Sequence, residues 1–213
     1  MRSIARWLTP QGAGIAGMIN KLQAAERQLD TAIRLFFENI DHLSSYTLAA
    51  ASREITDDLC EKKTHELFQQ EFARLGDALE VHLSFREEMK IYIKEEYYKN
   101  AMKLFRKRQN FLKHADNDPD GEIDELNARE LAFVLLFGAK NFVLLEQRLT
   151  PAMSVFLHWF GAAEPQILKE PKKLAEDNFV KNVEELRRNL QDLYGGEAFK
   201  FMRLLLQKHY QPR

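Results

Sequence analysis

The chain reads as an all-α protein, a bundle of about five to six helices with a C-terminal helical hairpin. Three observations predict this. Apolar residues recur at steps of three and four along most of the 213 residues, the spacing of a helix with one buried face. Nine Gly and six Pro are too few for a turn-dense β protein or a disordered chain. Hydrophobic content of 45% and charged content of 30% are those of an ordinary globular protein, long enough for one sizeable core.

The elements follow in order. Residues 1–13 read as a flexible N-terminal arm, basic at Arg2 and Arg6 and interrupted by Pro10 and Gly12. Ile15, Met18, Ile19, Leu22, Ala25, Leu29, Ala32, Ile33, Phe36 and Ile40 form the stripe of a first helix. Ser44 or Ser45 is a natural cap for a second, which buries Leu48, Ala51, Ile55 and Leu59. A short third helix is expected over 64–75, ending near Gly76. A long fourth runs from about Asp77 or Ser84 to Ala115, with Tyr97, Ala101, Leu104 and Phe111 among its inward residues. The next, 126–148, is apolar nearly all round its middle and belongs at the centre of the bundle. Thr150-Pro151 is a helix start, a hydroxyl cap with Pro in the first helical position. Pro165 and Pro171 bracket a joint, after which 174–194 and 197–210 form two helices split by Gly195-Gly196. Residues 14–170 are thus expected as the bundle and 171–213 as a C-terminal appendage.

The net charge of −1 gives no global attraction to nucleic acid or membrane surfaces. The single cysteine, Cys60, forms no internal disulfide and suits a reducing cytosol. The longest apolar run, Leu131 to Phe137, is far short of a membrane span. Cytoplasm is the expected location.

Local chemistry concentrates between Lys99 and Glu125. The helix carries Lys99, Lys103, Arg106, Lys107, Arg108 and Lys113 with no acid, then gives way to a loop holding Asp116, Asp118, Asp120 and Asp124. Arg108 stands on the inward stripe, where a guanidinium requires either a buried partner or an opening to solvent. His114 follows at the edge of the same stripe. An all-helical bundle whose long helix ends in Arg, a short spacer and His resembles the HEPN superfamily (higher eukaryotes and prokaryotes nucleotide-binding). Its usual motif is Arg-Asn, three residues, then His. Here Asn110 and His114 keep that spacing, but Gln109 fills the slot before Asn110 and Arg108 lies one residue further back. The segments Arg27–Ile33, Thr47–Ala51 and Asn110–Asp116 also resemble a group of bacterial proteins to which no activity is attached, over about residues 20–170.

The resemblance implies metal-independent RNA cleavage in a homodimer cleft, with no cofactor, in a toxin–antitoxin or phage-defence setting. His114 would move a proton to or from the ribose and leaving oxygens. Arg108 would steady the phosphate charge, with Asn110 completing the catalytic set. Lys103, Lys107 and Lys113 would hold flanking phosphates. The alternative is a non-enzymatic helical module that associates with a protein partner, in which Arg108 is structural.

The loop itself fits a calcium-binding template at Asp116, Asp118, Asp120 and Asp124, with Gly121 at the turn. Asn127 stands where a bidentate Glu is required, so a solvated turn capping the next helix is the competing reading. The histidines, His42, His65, His82, His158 and His209, show no ligand spacing. Cys60 reads as a small core residue, and Phe105, Phe156, Trp159 and Phe160 as core aromatics. No Gly-rich phosphate loop, zinc spacing or nucleophile elbow is present.

Overall fold

The first apolar stripe folds as helix α1, Lys21–Glu38. The computed structural model describes residues 18–75, 94–113, 122–167, 179–190 and 192–209. Every regular element among them is a helix. Asn20 and Gln23 close a capping box at the start of α1, each side chain accepting from the other's backbone N–H. Asn39, left-handed at φ 55°, ends it. Met18, Ile19 and Ile40 fall outside the helix and are exposed, so the stripe is shorter than its spacing predicts.

Helix α2 is one continuous rod, His42–Leu75, where two helices are expected. Its first turn is capped by Asp41, whose carboxylate accepts the backbone N–H and the hydroxyl of Ser44. Those bonds hold the Asp41 carboxyl below its ordinary value. The serines expected as caps therefore lie inside the helix. Ser45 and Ser52 face α1 and donate to the carbonyls of Ala32 and Ala25 at 2.7 and 2.8 Å. Small side chains bring the two backbones close, and the hydroxyls satisfy themselves there.

Helix α3, Glu95–Lys113, is the cationic segment. Its predicted start near residues 77–84 lies outside the described residues. Ala101, Phe105 and Arg108 form its buried face. Phe111, expected inward, is 39% exposed. The helical repeat turns it roughly 90° from the middle of that face.

Helix α4, Ala128–Leu144, is the central element, with eleven buried residues. α5, Pro151–Ala163, starts as expected, Thr150 accepting from the backbone N–H of Met153. α6, Phe179–Asn189, and α7, Gly196–His209, follow. Phe199 and Met202 of α7 are buried in the same core as Phe36, Phe37, Phe156 and Trp159. The rings of Phe36, Phe37 and Phe199 lie 5.0 to 6.0 Å from that of Trp159, mostly edge to face. Each such ring contributes about 2 kcal/mol by burial alone. The C-terminal segment is fastened at the base as well. Trp159 donates to the carbonyl of Leu193, and buried Glu164 takes a two-pronged pair from Arg129 and the hydroxyl proton of Tyr194. Burial and the Glu164 charge push the Tyr194 hydroxyl well above its ordinary pKa. No helix among the described residues is long and apolar enough to cross a membrane.

Candidate functional sites on the cationic helix and in the α5–α7 cleft

Arg108 has found the buried partner its position requires. The side chain is 7% exposed, and Nη2 lies 2.8 Å from Glu130 Oε2. Nη1 donates to the carbonyl of Asp124 at 2.8 Å. The guanidinium thus ties α3 to the chain entering α4. Asn127 caps α4, its side chain accepting from the backbone N–H of Glu130, and so aims Glu130 back at Arg108.

The other residues expected at the site face away. Lys103, Lys107 and Asn110 recur at steps of four and three on the exposed side of α3, together with Arg106. Arg108 continues the buried side from Ala101 and Phe105. Arg108 and Asn110 therefore project from opposite sides of one helix. Lys107 Nζ stands 3.8 Å from the Asp124 carboxylate, both groups well exposed. His114 and the Lys113 side chain lie outside the described residues, as do Asp116, Asp118 and Asp120. Asp124, the remaining candidate of the calcium template, points its carboxylate at Lys107 and lends its carbonyl to Arg108. The residue at the template's last position, Asn127, serves as the helix cap. Among the described residues no group of three or more His, Cys, Asp or Glu is arranged to hold a metal ion.

Inside the bundle a polar seam joins α2 to α4. Asn141 donates to Thr56 and to Asp57, and Arg53 lies 3.7 Å from Asp57 while its guanidinium stacks 4.8 Å over the Phe105 ring. Burial raises the Asp57 carboxyl above its ordinary pKa against the pull of Arg53. Cys60 is buried against the Asn141 carbonyl, a core residue as expected. His42 bridges Asn39 and the Leu126 carbonyl.

A cleft of about 1600 Å³, which no sequence motif announces, opens between α5, α6, α7 and the link from α4 to α5, with Glu26 of α1 and Val143 of α4 also in its lining. Its walls include Val155 of α5, Leu186 and Leu190 of α6, and Phe201, Met202 and Leu205 of α7. Phe201 is 42% exposed, a large ring held open to solvent. Glu26, Glu146 and Glu185 stand in the lining against one guanidinium, Arg148. Glu146 is held by an unusual backbone. Its φ of 57° is left-handed, and the amides of Glu146 and Gln147 return to the carbonyls of Val143 and Phe142. Gly is the ordinary residue at this helix-ending position, and any other costs about 1 kcal/mol. The strain sets Glu146 on the cleft, where Lys63 pairs with it at 3.0 Å. His158 also lines the cleft, but its ring is occupied. A carbonyl only accepts, so the 2.7 Å contact with Ser154 places the proton on Nδ1. Nε2 then receives the Asn182 amide at 3.3 Å. Five elements far apart in sequence build this cleft, which is why no motif announces it.

No family model, curated protein or solved structure matches the chain.

Proposed function

We propose that the chain is a non-enzymatic helical association module that holds the apolar face of a partner protein in the α5–α7 cleft. The observation that carries this reading is the cleft itself, with Phe201 and Leu205 presented on α7 and Leu186 and Leu190 on α6. Contiguous apolar surface left open on a monomer marks a binding site. The state of Arg108 supports the same reading, since a guanidinium already bonded to Glu130 and a carbonyl has few donors left for a phosphate. An apolar fluorescent dye tests it. The native protein should bind the dye, and Phe201→Asp should abolish binding with helical content unchanged. Equal binding by both proteins would overturn the proposal.

A second reading, RNA binding, draws on one observation. Lys103, Arg106 and Lys107 share the exposed side of α3 with Asn110, a spacing suited to phosphates. Incubation of wild type and His114→Ala with mixed RNA and a chelator separates the two readings. Cutting that survives the chelator and disappears in the variant would establish the ribonuclease and displace the module.

A further inference from the structure

The α5–α7 cleft differs from a small-molecule site in size and in the sign of its polar groups. Drug-sized ligands fill roughly 300 to 1000 Å³, and this cleft is about 1600 Å³. Three turns of helix, about 16 Å long and 10 Å across, displace on the order of 1300 Å³. Most of the walls are helices, the kind of surface against which an amphipathic helix packs.

The charge is equally particular. Of the three carboxylates lining the cleft, Glu146 is matched by Lys63. Glu26 and Glu185 have no ion-pair partner among the described residues. They lie on α1 and α6, Glu26 half-buried and Glu185 exposed. Among the described residues of the lining, Arg148 is the one Lys or Arg. An occupant with acids on its polar face would meet these carboxylates with like charge, which costs affinity.

Resting on the association reading above, we infer that the cleft takes an amphipathic helix of a partner protein whose apolar stripe is flanked by Lys or Arg. The apolar stripe packs on Phe201 and Leu205. The flanking cations meet Glu26 and Glu185. Two carboxylates at an exposed rim add about fivefold to affinity, the worth of two solvent-exposed ion pairs, and the gain fades with salt.

The test uses the full chain and two labelled helical peptides of about three turns. Both carry the same Leu stripe, one with Lys flanks and the other with Glu flanks. Fluorescence anisotropy should show the Lys peptide binding about fivefold tighter at low salt. Glu26→Gln combined with Glu185→Gln should bring the two peptides to equal affinity, and both substitutions sit on helix surfaces where the fold tolerates them. Equal binding of the two peptides to the native chain would overturn the charge preference while leaving the association reading in place. Binding of neither peptide, with the dye also excluded, would overturn that reading too.

Discussion

Arg108 is held by its surroundings on three sides. Its guanidinium is buried, its partner Glu130 is 22 residues away, and the two are fixed by a backbone carbonyl and by the Asn127 cap. Removing one member of a buried pair leaves the other uncompensated, at a cost of about 3 kcal/mol. Replacing Arg108 by an apolar chain of similar length removes the need for a partner. Glu130→Ala should therefore destabilise by about 3 kcal/mol in urea unfolding, and Arg108→Met by clearly less. The double variant should recover most of the difference, because the two residues form one unit. Additive losses would show that each side chain packs independently, and would release Arg108 for a role at the surface.

At the scale of elements, α1 and α4 come close at Gly138. A Cβ added to Gly138 would sit 3.0 Å from Leu29 Cδ1, and Leu29 is fully buried. Alanine is the better helix former by about 1 kcal/mol, but overpacking a rigid site costs about 1 to 3 kcal/mol. Gly138→Ala should lower the urea midpoint at unchanged slope. A raised midpoint would mean that Leu29 repacks. The helices around this contact were legible because periodicity reports a buried face directly. Ala25, Leu29, Ala32, Ile33 and Phe36 of α1 are all in the core, and Thr150-Pro151 starts α5 where its chemistry demands. The continuous passage of α2 through Thr64 was not legible, since a break is inferred from local capping residues and tertiary packing decides whether it occurs. Arg108 announced its need for a partner but not its identity. Glu26, Glu146, Glu185 and Phe201 gave no joint signal, because only folding brings them to one cleft.

For the molecule as a whole, a buried amine on α4 carries a cost that pH reveals. Lys140 is fully buried on α4, and desolvation lowers its amine from 10.5 to about 8. A base whose pKa is depressed on folding binds its proton more weakly in the native state. Its contribution to stability is fully present above 10.5 and is lost as pH falls through about 8. At neutral pH the native state therefore bears a charged amine in the core, at a cost on the order of 3 kcal/mol for a shift of that size. Lys140→Met keeps the length and removes the charge. Between pH 10.5 and neutrality the variant should gain about 3 kcal/mol in unfolding free energy relative to wild type. The gap between the two should narrow as pH rises from about 8 to 10.5. Tyr46, pushed up to about 12 by burial, begins to titrate near the end of this range. It does so in both proteins, so it cancels in their difference. A gap that stayed constant across the interval would show that the amine keeps its ordinary pKa and reaches solvent. A closing gap would identify Lys140 as a place where the bundle tolerates strain, in the same helix whose last turn carries the left-handed Glu146 to the cleft.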